Sequence, residues 1–421
     1  MQGALPPDGG EVACVRPDGT RHGPYQRYHG NGEVALRGAY VDGLADGDFV
    51  QLADDGHVLG TYHLDRGTGL RKEWTADGEL MVTETWKDGA LNGPRVVGRV
   101  ETMRVEENYR NGKLDGARSI WRLGKPYLVE QYRRGVLNGP WKAYRSFGRL
   151  RVSGAYAHGQ ETGVWTYYHS SGRPSRQGQM LEGKKEGPWK AFDPRGHLLI
   201  TGTYHHDRKD GVWTQYDWRG NVVGSFQMKD GTGVDREWFA PGKLSSETTY
   251  VHGERHGPYR RFTIKGRRAE TGSFRHDQRH GRWREWHANG KLSVDSRYRH
   301  GKLDGAYKRY NEAGVLVEST RYANGLRQGP SAERYDDGAV QLAGSYDRDL
   351  REGVFTQYYP DGTVSSRATF QAGALDGPYY AYREDGRLAA QGNYAAGKRV
   401  GRWRFWAPDG RLESTRSYDA P

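Results

Sequence analysis

The stretch GRWREWHANGKLSVDSRYRHGKLDG, residues 281–305, is the template on which most of the chain is built. Counting Gly281 as position 0, Trp283 is at +2, Trp286 at +5, Gly290 at +9, Leu292 at +11, Tyr298 at +17 and Gly301 at +20, and Gly305 opens the next copy at +24. Position 0 recurs at Gly23, Gly47, Gly69, Gly93, Gly116, Gly139, Gly163, Gly187, Gly211, Gly233, Gly257, Gly281, Gly305, Gly329, Gly353, Gly377 and Gly401. These 17 anchors are 24 residues apart except for two steps of 22 and two of 23. A fixed period of this length marks a repeat architecture, in which each unit is too small to bury its apolar face alone and does so against its neighbours.

The two steps of 22 are alike. Gly47 to Gly69 and Gly211 to Gly233 share the same two-residue deletion and end in the same Gly-Thr-Gly, at Gly67–Gly69 and Gly231–Gly233. Either a larger block was duplicated or a shortened hairpin needs this tighter loop.

Within each copy, positions +1 to +6 form a short aromatic segment, as in Pro140-Trp-Lys-Ala-Tyr144 and Pro188-Trp-Lys-Ala-Phe192. A polar turn follows, such as His287-Ala-Asn-Gly290 or Pro360-Asp-Gly362. Asn-Gly and Asp-Gly favour primed hairpin turns, which need positive φ at their central residues. The return segment carries an aliphatic residue at +11 and an aromatic one at +17, and then a second turn of the form His-Gly-x-x-x-Gly. Glycine this frequent excludes a helix, where each would cost about 1 kcal/mol. The expected fold is therefore all-β: an elongated single-sheet array of about 17 stacked antiparallel β-hairpins over residues 20–421, preceded by an N-terminal cap or partial repeat at 1–19, with Val12–Val15 its first strand. The expected repeat core is Trp141, Trp165, Trp189, Trp213, Trp283, Trp286, Leu292, Tyr298, Trp403 and Trp406. Positions +2 and +5 have opposite parity, so either a bulge separates them or both faces carry aromatic rows. Position +15 is often glycine (Gly38, Gly154, Gly178, Gly202, Gly272, Gly344, Gly392), which predicts a neighbouring ring packed in the vacated space.

Composition agrees with an array. Only 35% of residues are hydrophobic, low for one compact core of 421 residues, yet 13 Trp, 28 Tyr and 10 Phe exclude a disordered chain. The 61 glycines show no Gly-X-Y period, which excludes collagen. Cys14 is the only cysteine, so neither an intrachain disulfide nor a cysteine-based zinc site is available. No apolar run is long enough for a spanning helix, and Met1–Gly10 has no basic-then-apolar leader, so a cytoplasmic location is expected.

The pattern Gly-x-Trp-x-x-Tyr-x-x-x-Gly-x-Leu, followed by Tyr-x-x-Gly-x-x-x-Gly, resembles the MORN repeat, and more closely the bacterial MORN variant of the YwqK-type antitoxin family. Gly187-Pro-Trp-Lys-Ala-Phe192, Gly196-His-Leu198 and Tyr204 carry the likeness, as do Gly401-Arg-Trp-Arg-Phe-Trp406, Gly410-Arg-Leu412 and Tyr418. The likeness runs from about residue 20 to 418. It implies a hairpin array serving protein contacts, with self-association or phospholipid binding in some members, and the antitoxin label implies neutralisation of a partner toxin. Some copies depart from the pattern: Ser331 and Arg334 replace aromatics, Gly98 stands at a +5 position, Met180 replaces the +17 tyrosine and Arg268 the +11 aliphatic.

No catalytic constellation stands out from the repeat, and no cofactor is implied. Cys14 has no adjacent base, and His22, His256 and His280 precede anchor glycines in what reads as turns. His205-His206-Asp207 is the densest set of metal-ligand residues, but three ligands in a row on one loop cannot all converge easily, so no metal site is assigned. The Gly-Thr-Gly segments lack the helix and Gly-Lys-Ser/Thr ending of a phosphate loop.

The charge balance is more informative. Lysine and arginine number 64 against 52 acids, a net +12. Ten cations crowd one stretch: Arg255, Arg260, Arg261, Lys265, Arg267, Arg268, Arg275, Arg279, Arg282 and Arg284, opposed by Glu270 and Asp277 alone. Stacked hairpins would align them as a stripe suited to an acidic protein, an anionic lipid surface or a nucleic-acid backbone. Nucleic acid is disfavoured, because the interleaved aromatics occupy core positions rather than serving as stacking platforms. The reading is a non-enzymatic protein-binding or structural scaffold, in a narrower form an antitoxin-like neutraliser. Its alternative is peripheral binding to an anionic membrane or other polyanion through the basic face. Open terminal strands also predict end-to-end self-association.

Overall fold

A computed structural model describes residues 2–4 and 10–419; residues 1 and 5–9 of the expected cap, and 420–421, lie outside the described residues. By packing the chain divides into two units, Met1–Asp207 and Arg208–Pro421. Each is all-β, and within each unit the strands follow one another as an antiparallel ladder of hairpins; three short segments, Leu44–Ala45, Lys113–Leu114 and Val136–Leu137, share their preceding partner with the strand that follows them. The partial repeat at the start of the first unit is paired too: Glu11–Val15 lies between Gln2–Ala4 and Arg21–Tyr28.

In the second unit the template forms the strands Gln278–Trp286 and Leu292–Arg299, and the next copy begins at Lys302–Tyr310. The first strand of each hairpin is thus longer than the aromatic segment alone. In most copies it starts at −3, immediately after a tight turn, and runs straight through the anchor glycine; at Gly47, Gly116 and Gly139 it is interrupted just before the anchor. His22, His256 and His280, read from sequence as turn residues, are therefore strand residues. The anchor sits at a register shift, where the pairing jumps from Ser296↔Tyr307 to Tyr298↔Leu303 across Gly305, whose φ is +122°. Few residues other than glycine tolerate that conformation, which is why this position keeps its period best.

The two classes of turn exchange their expected chemistry. Primed turns recur at +19 and +20, where both residues have positive φ, as at His300 (49°) and Gly301 (77°), and one more stands at Leu123 (48°) and Gly124 (69°). The Asn-Gly and Asp-Gly segments at +6 to +9 instead make longer loops. His287 N–H donates to Lys291 O at 2.9 Å, Gly290 N–H to His287 O at 2.9 Å, and Gly290 takes a φ of +89°. This is an ordinary turn closed by a left-handed glycine, and it leaves a bulge in the ladder behind it. Pairing skips from Glu285↔Val294 to Trp286↔Leu292, with the same shift in most other copies of both units, for example at Ala191/Phe192 and Phe405/Trp406. That bulge decides the parity question at +2 and +5.

The +15 glycines do what their position predicts. A Cβ on Gly154 would lie 2.3 Å from the Trp165 ring, on Gly178 2.1 Å from Trp189, on Gly272 2.2 Å from Trp283 and on Gly392 2.2 Å from Trp403. Each ring comes from +2 of the following copy. In the two shortened copies the +5 tryptophan takes over: Gly60 faces Trp74 and Gly224 faces Trp238, both within 2.3 Å of such a Cβ. The shortened copies also bring successive turns together, since a Cβ on Gly67 would meet Gly89 N at 2.7 Å and one on Gly231 would meet Gly253 N at 2.6 Å. A shortened hairpin with a tighter loop accounts for both. Of the expected core, Trp165, Trp189, Trp213, Trp283 and Trp403 are buried, while Trp141, Trp286, Leu292, Tyr298 and Trp406 are half-buried around them.

Candidate binding faces and a histidine cluster

Successive strand residues point to opposite faces, so each unit has an aromatic face, bearing +2 and +17, and a polar face, bearing +1, +3, +14 and +16. On the aromatic face a cation at −2 repeatedly covers the rings. In the first unit Arg21 lies 5.1 Å from the Tyr25 ring centre and Lys185 4.9 Å from Tyr204. In the second, Lys209 lies 4.7 Å from Trp213, Arg255 4.3 Å from Phe274, Arg279 4.1 Å from Trp283, Arg327 4.0 Å from Tyr346, Arg351 4.9 Å from Phe355 and Arg399 4.5 Å from Trp403. These contacts are cation–π lids on the core. The sequence carried this signal at a fixed offset before eight of the 17 anchors, outside the window read as strand.

The ten-cation stretch is accordingly divided. Arg255 and Arg279 are lids on the aromatic face, and Arg261 joins them there: Glu270, 7% exposed, accepts from Arg279 Nη2 at 2.6 Å and Arg261 Nε at 3.2 Å. Arg260, Arg282 and Arg284 belong to the polar face, where Arg260 Nη1 is 3.5 Å from Glu247 and Arg282 grips Asp295 through Nε at 2.8 Å and Nη2 at 2.5 Å. Arg267 donates to the carbonyl of Asn289 at 3.0 Å in the neighbouring loop. Lys265 lies in a loop, Arg268 starts a strand and Arg275 ends it. Contiguity in sequence therefore does not become a single stripe.

A different basic cluster forms on the polar face of the second unit. A groove of about 890 Å³ is lined by Arg282, Arg297, Lys308 and Arg321, with Asp295 as its only carboxylate among the described residues. Asp295 is held below the ordinary aspartate value by hydrogen bonds from Arg282. Arg297, Lys308 and Arg321 are exposed, and no carboxylate among the described residues is within ion-pair distance of them. The sequence reading stopped at Arg284 and missed these three, which the alternation of strand residues places beside Arg282.

On the aromatic face of the same unit, a groove of about 640 Å³ is lined by Asp235, Tyr259, Glu270, Arg255, Arg279 and Trp283, among others. Burial pushes the Asp235 carboxyl up, opposed by Lys209, whose Nζ lies 2.5 Å away. Asp235 and Glu270 are thus each committed to a cation.

The first unit holds an ionic ladder that sequence reading did not find. Arg71, Arg95 and Arg118 occupy +2, and Glu84, Glu107 and Glu130 face them from the adjoining strands. Glu84 accepts from Arg71 at 2.6 Å and from Arg95 at 2.8 Å; Glu107 accepts from Arg95 at 2.8 Å and from Arg118 at 3.0 Å; Glu130 accepts from Arg118 at 2.8 Å. The glutamates are 6–7% exposed. Burial raises Glu84 and Glu107, but hydrogen bonds from their arginines outweigh it and hold both below the ordinary glutamate value.

One further cluster lies on the tight-turn edge of the first unit. His205 and His206 stand edge to face with ring centres 4.3 Å apart, and Glu186 joins them so that one ligand atom from each lies within 4.8 Å of the others. Asp207, third in the run, turns aside: its Oδ1 accepts from Lys185 N at 2.9 Å. Of the three residues in the run, the two imidazoles come together and Asp207 does not.

The family model described as MORN repeat variant matches residues 185–206, 279–300 and 351–372. Each stretch begins at a −2 cation (Lys185, Arg279, Arg351) and ends at the first residue of a primed turn, so the matched unit is one hairpin. No curated protein matches. Among solved structures, the chain is similar to "Crystal Structure of TcdB2-TccC3-Cdc42" at 11% identity, covering 91% of this chain and 24% of that one, with a TM-score of 0.15. It is likewise similar to "Crystal Structure of TcdB2-TccC3 without hypervariable C-terminal region" at 10% identity, covering 94% and 26%, with a TM-score of 0.14. The chain thus spans about a quarter of the length of these two. No helix among the described residues is long and apolar enough to cross a membrane. The chain is an all-β repeat protein that carries a motif like the MORN repeat variant in part of its length.

Proposed function

We propose that the chain is a non-enzymatic scaffold that binds an acidic protein partner through the polar face of its second unit. The observation that carries this reading is the groove lined by Arg282, Arg297, Lys308 and Arg321, where three exposed cations face solvent without a carboxylate of their own. Charge complementarity of this kind speeds encounter and selects partners. The aromatic face, by contrast, keeps many of its rings under cation lids and commits Asp235 and Glu270 to cations, an arrangement that favours rigidity over catalysis. A narrower reading, taken from the likeness to the bacterial antitoxin family, is that the partner is a toxin and binding neutralises it. The same groove also favours a second reading, peripheral attachment to an anionic membrane or another polyanion.

The test is capture from native lysate by the intact chain and by the triple variant Arg297→Glu, Lys308→Glu, Arg321→Glu, each washed at low and high salt. A single protein retained by the intact chain through high salt, and lost by the variant at both, supports the scaffold. Retention of lipid or nucleic acid alone, released by salt, supports the polyanion reading. A protein retained equally by both chains removes the groove from the account.

A further inference from the structure

We propose that Glu186, His205 and His206 form a binding site for a divalent first-row transition ion of the zinc class. The argument begins with the backbone. Neighbouring residues of a strand point to opposite faces, so two consecutive histidines do not ordinarily share a ligand. Here His205 ends the strand Leu198–His205, and His206 is the first residue of a primed turn with φ of +48°. The left-handed residue breaks the alternation and brings the two imidazoles to a ring-centre separation of 4.3 Å.

The third ligand is held in place by the turn itself. Glu186 Oε2 accepts from His206 N at 2.9 Å and lies 3.8 Å from His206 Nδ1. The next residue pins the turn to the same strand, with Asp207 Oδ1 accepting from Lys185 N at 2.9 Å and Asp207 N donating to Lys185 O at 3.0 Å. The neighbouring lysine is occupied elsewhere, its Nζ 4.9 Å from the centre of the Tyr204 ring.

Comparison along the tight-turn edges isolates this turn. The residue at −1 caps the following primed turn in many copies: Asn138 for His158, Thr232 for His252, Asp210 for Asp230 and Glu352 for Ala372. Two other −1 residues are histidines that stand beside a histidine of the following turn, with ring centres 5.1 Å apart for His256 and His276 and 6.3 Å apart for His280 and His300. Only at Glu186 does a carboxylate cap meet two imidazoles, and this is the one group of three such ligands found among the described residues.

Two nitrogens and one oxygen suit zinc, nickel, cobalt or copper rather than magnesium or calcium, which prefer oxygen. Metal–ligand bonds of about 2 Å place such atoms about 3.4 Å apart. The present spacing, within 4.8 Å, closes to that by side-chain rotation, since both imidazoles are exposed and Glu186 is half-buried. Three protein ligands leave at least one position for water or for a group from a partner.

The experiment uses the full chain, freed of metal by chelator and titrated with Zn²⁺ alone against a chromophoric competitor, with Co²⁺ absorption as a second readout. The expected result is one ion per chain, bound at least about tenfold more weakly in each of His205→Gln, His206→Gln and Glu186→Gln. Glu186→Gln keeps an oxygen that can accept from His206 N–H, so its loss of binding is not loss of the turn. His256→Gln, at a turn with a histidine pair but no such triad, should bind as the parent does. Absence of stoichiometric binding in the parent overturns the proposal, as does binding that the three variants leave unchanged.

Discussion

Between Arg71 and Glu130 the core of the first unit is held by charges; from Trp141 to Trp189 the same positions hold rings. In the aromatic stretch, +2 is tryptophan and +15 is glycine, and the Trp141 and Trp165 rings lie 5.6 Å apart with Gly154 leaving room between them. In the ionic stretch, +2 is arginine and the facing residue is glutamate. Ring plus hydrogen is exchanged for guanidinium plus carboxylate, and the backbone is kept. Glu130 joins the two, taking Arg118 Nη1 at 2.8 Å on one side and the Trp141 indole N–H at 3.3 Å on the other. The comparison teaches that the repeat specifies a backbone and a paired slot rather than a particular core chemistry.

The largest expected effect comes from breaking each ladder at its centre. Glu107→Ala leaves Arg95 and Arg118 each without one of two carboxylates in a nearly closed site, and should cost about 3–5 kcal/mol. Trp165→Ala empties a slot whose side chain is 2% exposed and should cost a similar amount, about 3–5 kcal/mol. Denaturant unfolding measures both. The two differ in rescue: Glu107→Gly combined with Arg118→Trp transplants the aromatic slot and should recover part of the Glu107→Ala loss. No recovery would mean that the slots are not interchangeable.

A smaller and local effect is expected from acid. Glu84 and Glu107 have lowered pKa values in the folded chain. A depressed carboxylate contributes stability that is present above its unfolded pKa and is lost as pH falls through the folded value. Below the ordinary glutamate range, amide exchange should therefore quicken in Leu80–Lys87 and Met103–Arg110 before it does in Leu150–Ala157 and Pro174–Leu181. Exchange that quickens equally in all four strands would remove the distinction between the ladders.

The hairpins, their period and the room left by the +15 glycines were legible because each rests on one residue type at one offset. The turn chemistry was legible only in part. Asn-Gly serves both a primed two-residue turn and a loop closed by a left-handed glycine, and only the number of residues between paired positions separates them. The ionic ladder escaped because +2 and +15 lie on different strands: Arg95 read alone is a lost aromatic, and Glu84 read alone is a lost glycine. Read together across copies, the two substitutions compensate. The basic stripe failed for the opposite reason. Arg260 and Arg261 are adjacent in sequence and face opposite ways, while Arg282 and Arg297 are distant in sequence and pair across the ladder.

The finest comparison is within one rung. Arg95 reaches Glu84 through Nε at 2.8 Å and Glu107 through Nη1 at 2.8 Å, so one planar cation spans two carboxylates on the strands either side of it. Arg95→Lys keeps the charge and much of the length but replaces a fixed fork with a single point donor. If the ladder depended on charge alone, the change would be nearly neutral. If it depends on the fork, one carboxylate loses its short hydrogen bond while remaining buried, a loss of about 1–3 kcal/mol, and the penalty should fall below that of Glu107→Ala. Salt tells the two apart further: a charge-only rung weakens with ionic strength in parent and variant alike, whereas a rung held by geometry in a nearly closed site resists screening in the parent and becomes salt-sensitive only with lysine in place.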